Sequence, residues 1–149
     1  SNEDLYNDFT RVGVFATVFV GQYEPGSQKM MYANAGHAPV IYRPRDGEPM
    51  LLRADATAIG ILPVNHCRNQ VLRMGPDDLL VVATDGFSDV RDPSEETFGI
   101  DRLMELIERL HAGTAHEIAA GMFEEADRFG HGRPQDDDQT LIVIKGAAS

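Results

Sequence analysis

A single cysteine, Cys67, stands among 149 residues, so no internal disulfide can form and a reducing, cytoplasmic setting is expected. No neighbour in sequence marks that thiol as a nucleophile, and a partly buried structural role is expected for it. No apolar run approaches the roughly 18 residues that a membrane span requires, and no signal peptide is visible. Basic residues are scarce: 13 Lys and Arg stand against 24 Asp and Glu, for a formal net charge of −11. Such a surface repels phosphate backbones and anionic lipid, which argues against nucleic acid and membrane as partners. The sequence carries no nucleophile elbow, no P-loop and no paired-cysteine zinc pattern. Its histidines, His37, His66, His111, His116 and His131, lack metal-ligand spacing.

What is present is an ordinary globular composition, 42% hydrophobic and 25% charged, in a length that suits one compact domain with a real core. Ser1-Asn2 is read as the remnant of an expression tag, which leaves residues 3–146 as the domain. Asn2 to about Arg11, with Leu5, Tyr6 and Phe9 apolar, reads as the tail of an amphipathic helix. Val12–Tyr23, rich in Val, Phe and Thr, reads as a strand. Pro25-Gly26-Ser27 turns the chain into a returning strand over Lys29–Ala35. Val40–Arg43 is a further strand, closed by a tight turn at Arg45-Asp46-Gly47, and Met50–Arg53 and Asn69–Met74 are shorter ones. Leu79–Ala83 is continuously apolar, as a strand buried on both faces is. Two helices follow. The first carries a stripe of Ile100, Leu103, Met104, Ile107 and Leu110. The second opens on the capping box of Thr114 and Glu117 and carries Ile118, Met122, Phe123, Ala126 and Phe129. A polar loop over Gly130–Asp136 leads to a last strand at Leu141–Ile144. Strands first, helices late and one closing strand describe an α+β layered domain, an antiparallel sheet covered by helices.

Chemistry has two candidate seats. Asp85 follows the buried strand and precedes Gly86, which lets the chain turn away and leaves a carboxylate at the sheet rim. It could equally cap a short helix over Phe87–Val90. Asp136-Asp137-Asp138 stands immediately before the last strand. Three adjacent carboxylates repel one another, so they form either a solvated acidic turn or ligands of a divalent cation, whose charge would relieve the repulsion. Hard ions such as Mg²⁺ and Mn²⁺ prefer oxygen ligands of this kind. Both seats lie at ends of apolar strands and could meet at one rim.

The segments Tyr32-Ala33-Asn34-Ala35-Gly36-His37-Ala38-Pro39, Ala58-Ile59-Gly60-Ile61-Leu62-Pro63, Asp78 to Gly86, Thr97-Phe98-Gly99 and Asp137-Asp138-Gln139-Thr140-Leu141 resemble, in order, motifs of one family. It is the bacterial SpoIIE/RsbU-like branch of the PPM-type (protein phosphatase 2C-like) metal-dependent serine/threonine phosphatases. The resemblance implies a sandwich of antiparallel sheets flanked by helices, with two Mn²⁺ or Mg²⁺ ions at one end. It implies hydrolysis of phosphoserine or phosphothreonine by a metal-activated water, with no covalent enzyme intermediate. Asp85 and Asp137 are implied as metal ligands. Asp89 is implied beside them or at a weaker metal, and Asp138 as a residue that orients its neighbours or shares that outer position. The implied partner is a phosphorylated regulatory protein, such as an anti-sigma-factor antagonist.

Asp77 stands where the family has glycine, and Ala83 where it often has tyrosine. The family also carries a "GD-x-x-GHG"-like motif upstream, whose aspartate bridges both metals, and none occurs before Phe15. The resemblance therefore covers the C-terminal part of such a domain. Metal binding and hydrolysis by this chain alone are expected to be weak or absent. The competing expectation is a non-catalytic, phosphatase-like module that binds a partner, or an inactive fragment. Missing upstream strands would also leave Val12–Val20 open, and a homodimer through that region is expected.

Overall fold

The computed structural model describes residues 2–63 and 66–148; Ser1, half of the expected tag remnant, lies outside them. In chain order the elements are α1 (Asn2–Val12), β1 (Val18–Glu24), β2 (Lys29–Ala35), β3 (Val40–Arg43), β4 (Met50–Leu51), β5 (Gln70–Arg73), β6 (Leu79–Ala83), α2 (Gly99–Leu110), α3 (Ala115–Gly130) and β7 (Leu141–Lys145). The class is α+β: both sheets are antiparallel, with orders β1-β2-β5 and β4-β3-β6-β7. No described helix is long and apolar enough to cross a membrane. The chain divides into two compact units, Ser1–His37 with Arg53–Met74, and Ala38–Leu52 with Gly75–Ser149.

In the first unit, Val12 closes α1 and the strand begins only at Val18, later than the run of Val and Phe suggests. β-branched residues weaken a helix only slightly, and here α1 continues through Val12 before Gly13 (φ +68°) turns the chain. Val14 and Phe15 are exposed, and so is Val20 on the edge strand β1. Asn34 is fully buried: its Nδ2 donates to the His37 carbonyl at 2.9 Å and its Oδ1 accepts from the His37 amide at 2.8 Å. Gly36, at φ +74°, brings its backbone so near Ala58 that a Cβ would lie 2.8 Å from the Ala58 nitrogen. The Asn34–His37 segment is thus a locked turn after β2. Cys67 is exposed rather than partly buried, its Sγ 3.5 Å from Asp55 Oδ1. Desolvation, followed by the Asp55 charge, pushes its thiol pKa up, which disfavours the reactive thiolate.

In the second unit, β6 lies between β3 and β7, and all five of its residues are buried. It is buried on both faces although its pairings are antiparallel. Leu79, Val81 and Ala83 share a cluster with Leu103, Leu106 and Ile107 of α2 and Ile118, Met122 and Ala126 of α3. α2 buries Leu106 rather than Ile100 or Leu110, which pack at the cluster's margin. The capping box of α3 is complete: Thr114 Oγ1 accepts from the Glu117 amide at 3.2 Å, and Glu117 accepts from the Thr114 amide at 2.7 Å. Phe123 departs from the expected stripe. It is 41% exposed, although its ring makes a T-shaped contact with Phe87 at a centroid distance of 4.9 Å.

Two buried polar groups hold the far end of β6. The Asp78 carboxylate accepts from the Gly75 amide (2.8 Å), the Arg45 amide (2.7 Å) and the Tyr42 hydroxyl (3.3 Å). Arg43 of β3 forks onto Glu108 of α2 at 2.6 and 3.1 Å, and that hydrogen bond holds the Glu108 carboxyl below its ordinary range. Both arrangements satisfy groups that burial would otherwise penalise.

Candidate functional site

The C-terminal end of β6 and the chain entering β7 are stitched together within the second unit. The Thr84 amide donates to the Thr140 carbonyl at 3.0 Å. The Thr84 hydroxyl donates to the Asp138 carbonyl at 3.0 Å and accepts from the Thr140 amide at 3.0 Å. Gln139 Nε2 then donates to the Gly86 carbonyl at 3.0 Å. Gly86 is buried so tightly that an added Cβ would lie 2.4 Å from the Asp138 carbonyl oxygen and 3.4 Å from that of Asp137. Asp85 and Asp137 therefore sit on backbone segments in contact, each exposed to solvent.

Residues 85–89 form turns, and no helix forms over Phe87–Val90. The Asp85 carbonyl accepts from the Asp89 amide (2.8 Å) and the Ser88 hydroxyl (3.0 Å). With no helix behind it, the Asp85 side chain is no N-cap, and it makes no hydrogen bond or ion pair among the described residues. One oxygen of Asp137 accepts from the following amide, of Asp138, at 2.7 Å. Asp138 contributes through its main chain, as the acceptor for Thr84. Asp89 is exposed, with Ser88 Oγ 3.4 Å from its Oδ1.

Beside these segments lies a cavity of about 230 Å³, lined among others by Gly86, Asp89, Phe123, Asp127, Arg133 and Asp137. Arg133 ties the acidic loop to the turn after Val90, its Nη1 donating to the Asp92 carbonyl at 2.9 Å and to Glu95 Oε1 at 2.8 Å. Arg91 holds the other Glu95 oxygen at 3.1 Å. The Arg133 hydrogen bond, then that of Arg91, keeps the Glu95 carboxyl below the ordinary range. A depressed folded pKa means that this tether is complete above the usual carboxylate pKa and is lost as pH falls through the lowered value. Arg133, Glu95 and Asp127 have no sequence signature, because their roles arise from tertiary contact. Thr84 and Gln139 lie inside the resembling segments, where a hydroxyl and an amide beside the two aspartates were visible.

The donors near the rim are all hard oxygens, right in kind for Mn²⁺ or Mg²⁺. Among the described residues no group of three or more His, Cys, Asp or Glu is arranged to hold a metal. Asp85 and Asp137 therefore lie on neighbouring turns without forming such a group.

The Thr84 hydroxyl carries two of the stitches and can be removed without changing side-chain shape. Thr84→Val is expected to cost about 1 kcal/mol, the worth of a part-exposed hydrogen-bonded hydroxyl. Urea melts would show the loss, and an unchanged midpoint would mean that the stitch contributes nothing.

A family model described as Stage II sporulation protein E (SpoIIE) matches residues 1–146. Protein IcfG of Synechocystis sp. is 30% identical over 144 residues, which cover 97% of this chain and 23% of IcfG. Among solved structures, the SiaA-PP2C domain of Pseudomonas aeruginosa matches with a TM-score of 0.83 at 17% identity, over 97% of this chain and 57% of that one. The phosphatase domain of the cell fate determinant SpoIIE from Bacillus subtilis, presoaked with Mn, matches with a TM-score of 0.67 at 18% identity, over 96% and 60%. This chain therefore spans about a quarter of the curated relative and less than two thirds of either solved chain.

Proposed function

The chain belongs to the SpoIIE family and has the fold of PP2C-type phosphatase domains, and on that premise we propose that it forms part of a metal-dependent phosphatase for phosphoserine or phosphothreonine in a regulatory protein. The observation that carries the reading is the stitched pair of turns, with Asp85 on one and Asp137 on the other. A divalent ion there would supply Lewis-acid charge for the phosphoryl oxygens and an activated water. Asp85 and Asp137 would hold it, and Mn²⁺ or Mg²⁺ suits their oxygens. The chain's own contribution is preorganisation. Thr84 and Gln139 fix the main chain of both turns, and Gly86 lets them approach to contact. An anti-sigma-factor antagonist or a similar phosphorylated regulator is the proposed substrate class.

The test is phosphate release from phosphoserine peptides by the whole protein that carries this chain. Release should require Mn²⁺ or Mg²⁺, stop on chelation and return with excess metal. Hydrolysis indifferent to chelator would overturn the metal reading, and failure on every phosphoserine and phosphothreonine substrate would overturn the activity.

A further inference from the structure

The cavity beside Asp137 has a wall with no part in holding the turns. Phe123 lies one residue from Met122, which is 1% exposed, yet is itself 41% exposed and lines this space, although its ring also meets Phe87. Val90 and Ala126 add to the apolar floor. Around it stand carboxylates of unequal standing. Asp127 and Asp136 make no hydrogen bond or ion pair through their side chains among the described residues, although Asp136 lies within the field of Arg133; the cavity's two guanidiniums, Arg91 and Arg133, are hydrogen-bonded to Glu95. The space thus combines an exposed aromatic ring, an apolar floor and an excess of carboxylates (Asp89, Asp127, Asp136, Asp137) over guanidiniums (Arg91, Arg133).

We propose that this cavity is a specificity pocket for a lysine or arginine side chain that flanks the phosphorylated residue of the substrate; the proposal rests on the phosphatase reading above. An aliphatic stem would cover Phe123 and Val90, and the cationic head would meet Asp127 and Asp136. The ring face adds cation–π attraction. Other occupants fit less well. A purely apolar side chain would desolvate carboxylates with no return, and an anionic group would be repelled by them. The net charge of −11 works in the same direction, drawing basic segments toward the chain from a distance. The pocket adjoins Gly86 and Asp137, so a side chain held in it belongs to a residue near the one dephosphorylated.

Two measurements test this. The first uses the chain itself, with n-butylguanidinium as probe and neutral n-butylurea as control, followed by amide NMR shifts. Butylguanidinium should shift the amides of Phe123, Ala126, Asp127 and Asp136 saturably, and butylurea should not. Asp127→Asn should weaken the binding about fivefold, while Glu124→Gln, the same charge change on an exposed neighbour outside the pocket, should not. The second compares kcat/KM of the whole protein on phosphoserine peptides bearing arginine or citrulline beside the phosphoserine. A preference of about tenfold for arginine is expected, falling toward parity in Asp127→Asn. Absence of saturable shifts, equal loss in Glu124→Gln, or a preference that survives Asp127→Asn would overturn the pocket. Failure to hydrolyse either peptide would instead overturn the phosphatase reading, and the amide map would still decide the pocket.

Discussion

Asp85→Asn is expected to lower the Mn²⁺-dependent phosphate release of the whole protein at least about a hundredfold, since even groups beside a metal's ligands are worth 10–100-fold. The substitution keeps shape and removes charge. Asp85 is exposed and its carboxylate holds nothing among the described residues, whereas its carbonyl, which anchors Ser88 and Asp89, is untouched. The thermal midpoint should therefore stay within about 2 °C of the parent, as for surface substitutions generally. A loss of activity with retained stability identifies Asp85 as a ligand. Undiminished release would remove it from the site, and a collapse of stability would assign the carboxylate a structural role.

Gly86→Ala should produce the opposite signature, in which stability and metal binding fall together. Its Cβ would stand 2.4 Å from the Asp138 carbonyl oxygen and 3.0 Å from the carbonyl carbon, distances that no side-chain adjustment can relieve. That carbonyl is also the acceptor for Thr84, so the two turns must separate or the hydrogen bond must break. A cost of about 1–3 kcal/mol follows from overpacking of this kind. Gly26→Ala is the control, because nothing lies within 4 Å of its added carbon. If Gly86→Ala melts with the parent and keeps its Mn²⁺ affinity, the contact between the turns is looser than the structure has it.

The parts of the fold that a linear reading captures are those governed by neighbours in sequence. β6 announces itself by five consecutive apolar residues, and α3 by a Thr and a Glu at capping-box spacing. Asp85 and the acidic run are visible because each adjoins an apolar strand. The misreadings share a cause, which is that context outweighed local preference. Val12 joins a helix because α1 continues through it, and Phe123 stays 41% exposed although its ring meets Phe87. The residues 85–89 bend into turns because Ser88 and Asp89 both fold back on the Asp85 carbonyl. The Arg133–Glu95 tether joins loops far apart in sequence, and no spacing rule reaches it.

The clasp formed by Thr84, Gln139 and the carbonyls of Gly86 and Asp138 contains a hydroxyl, an amide and main chain, but no ionisable group. Salt that screens exposed ion pairs therefore leaves it intact. Charge on the two turns and distance between them are thus set by separate chemistry. Ionic strength alters the reach of the carboxylates' charge without loosening the hydrogen bonds that join the two turns.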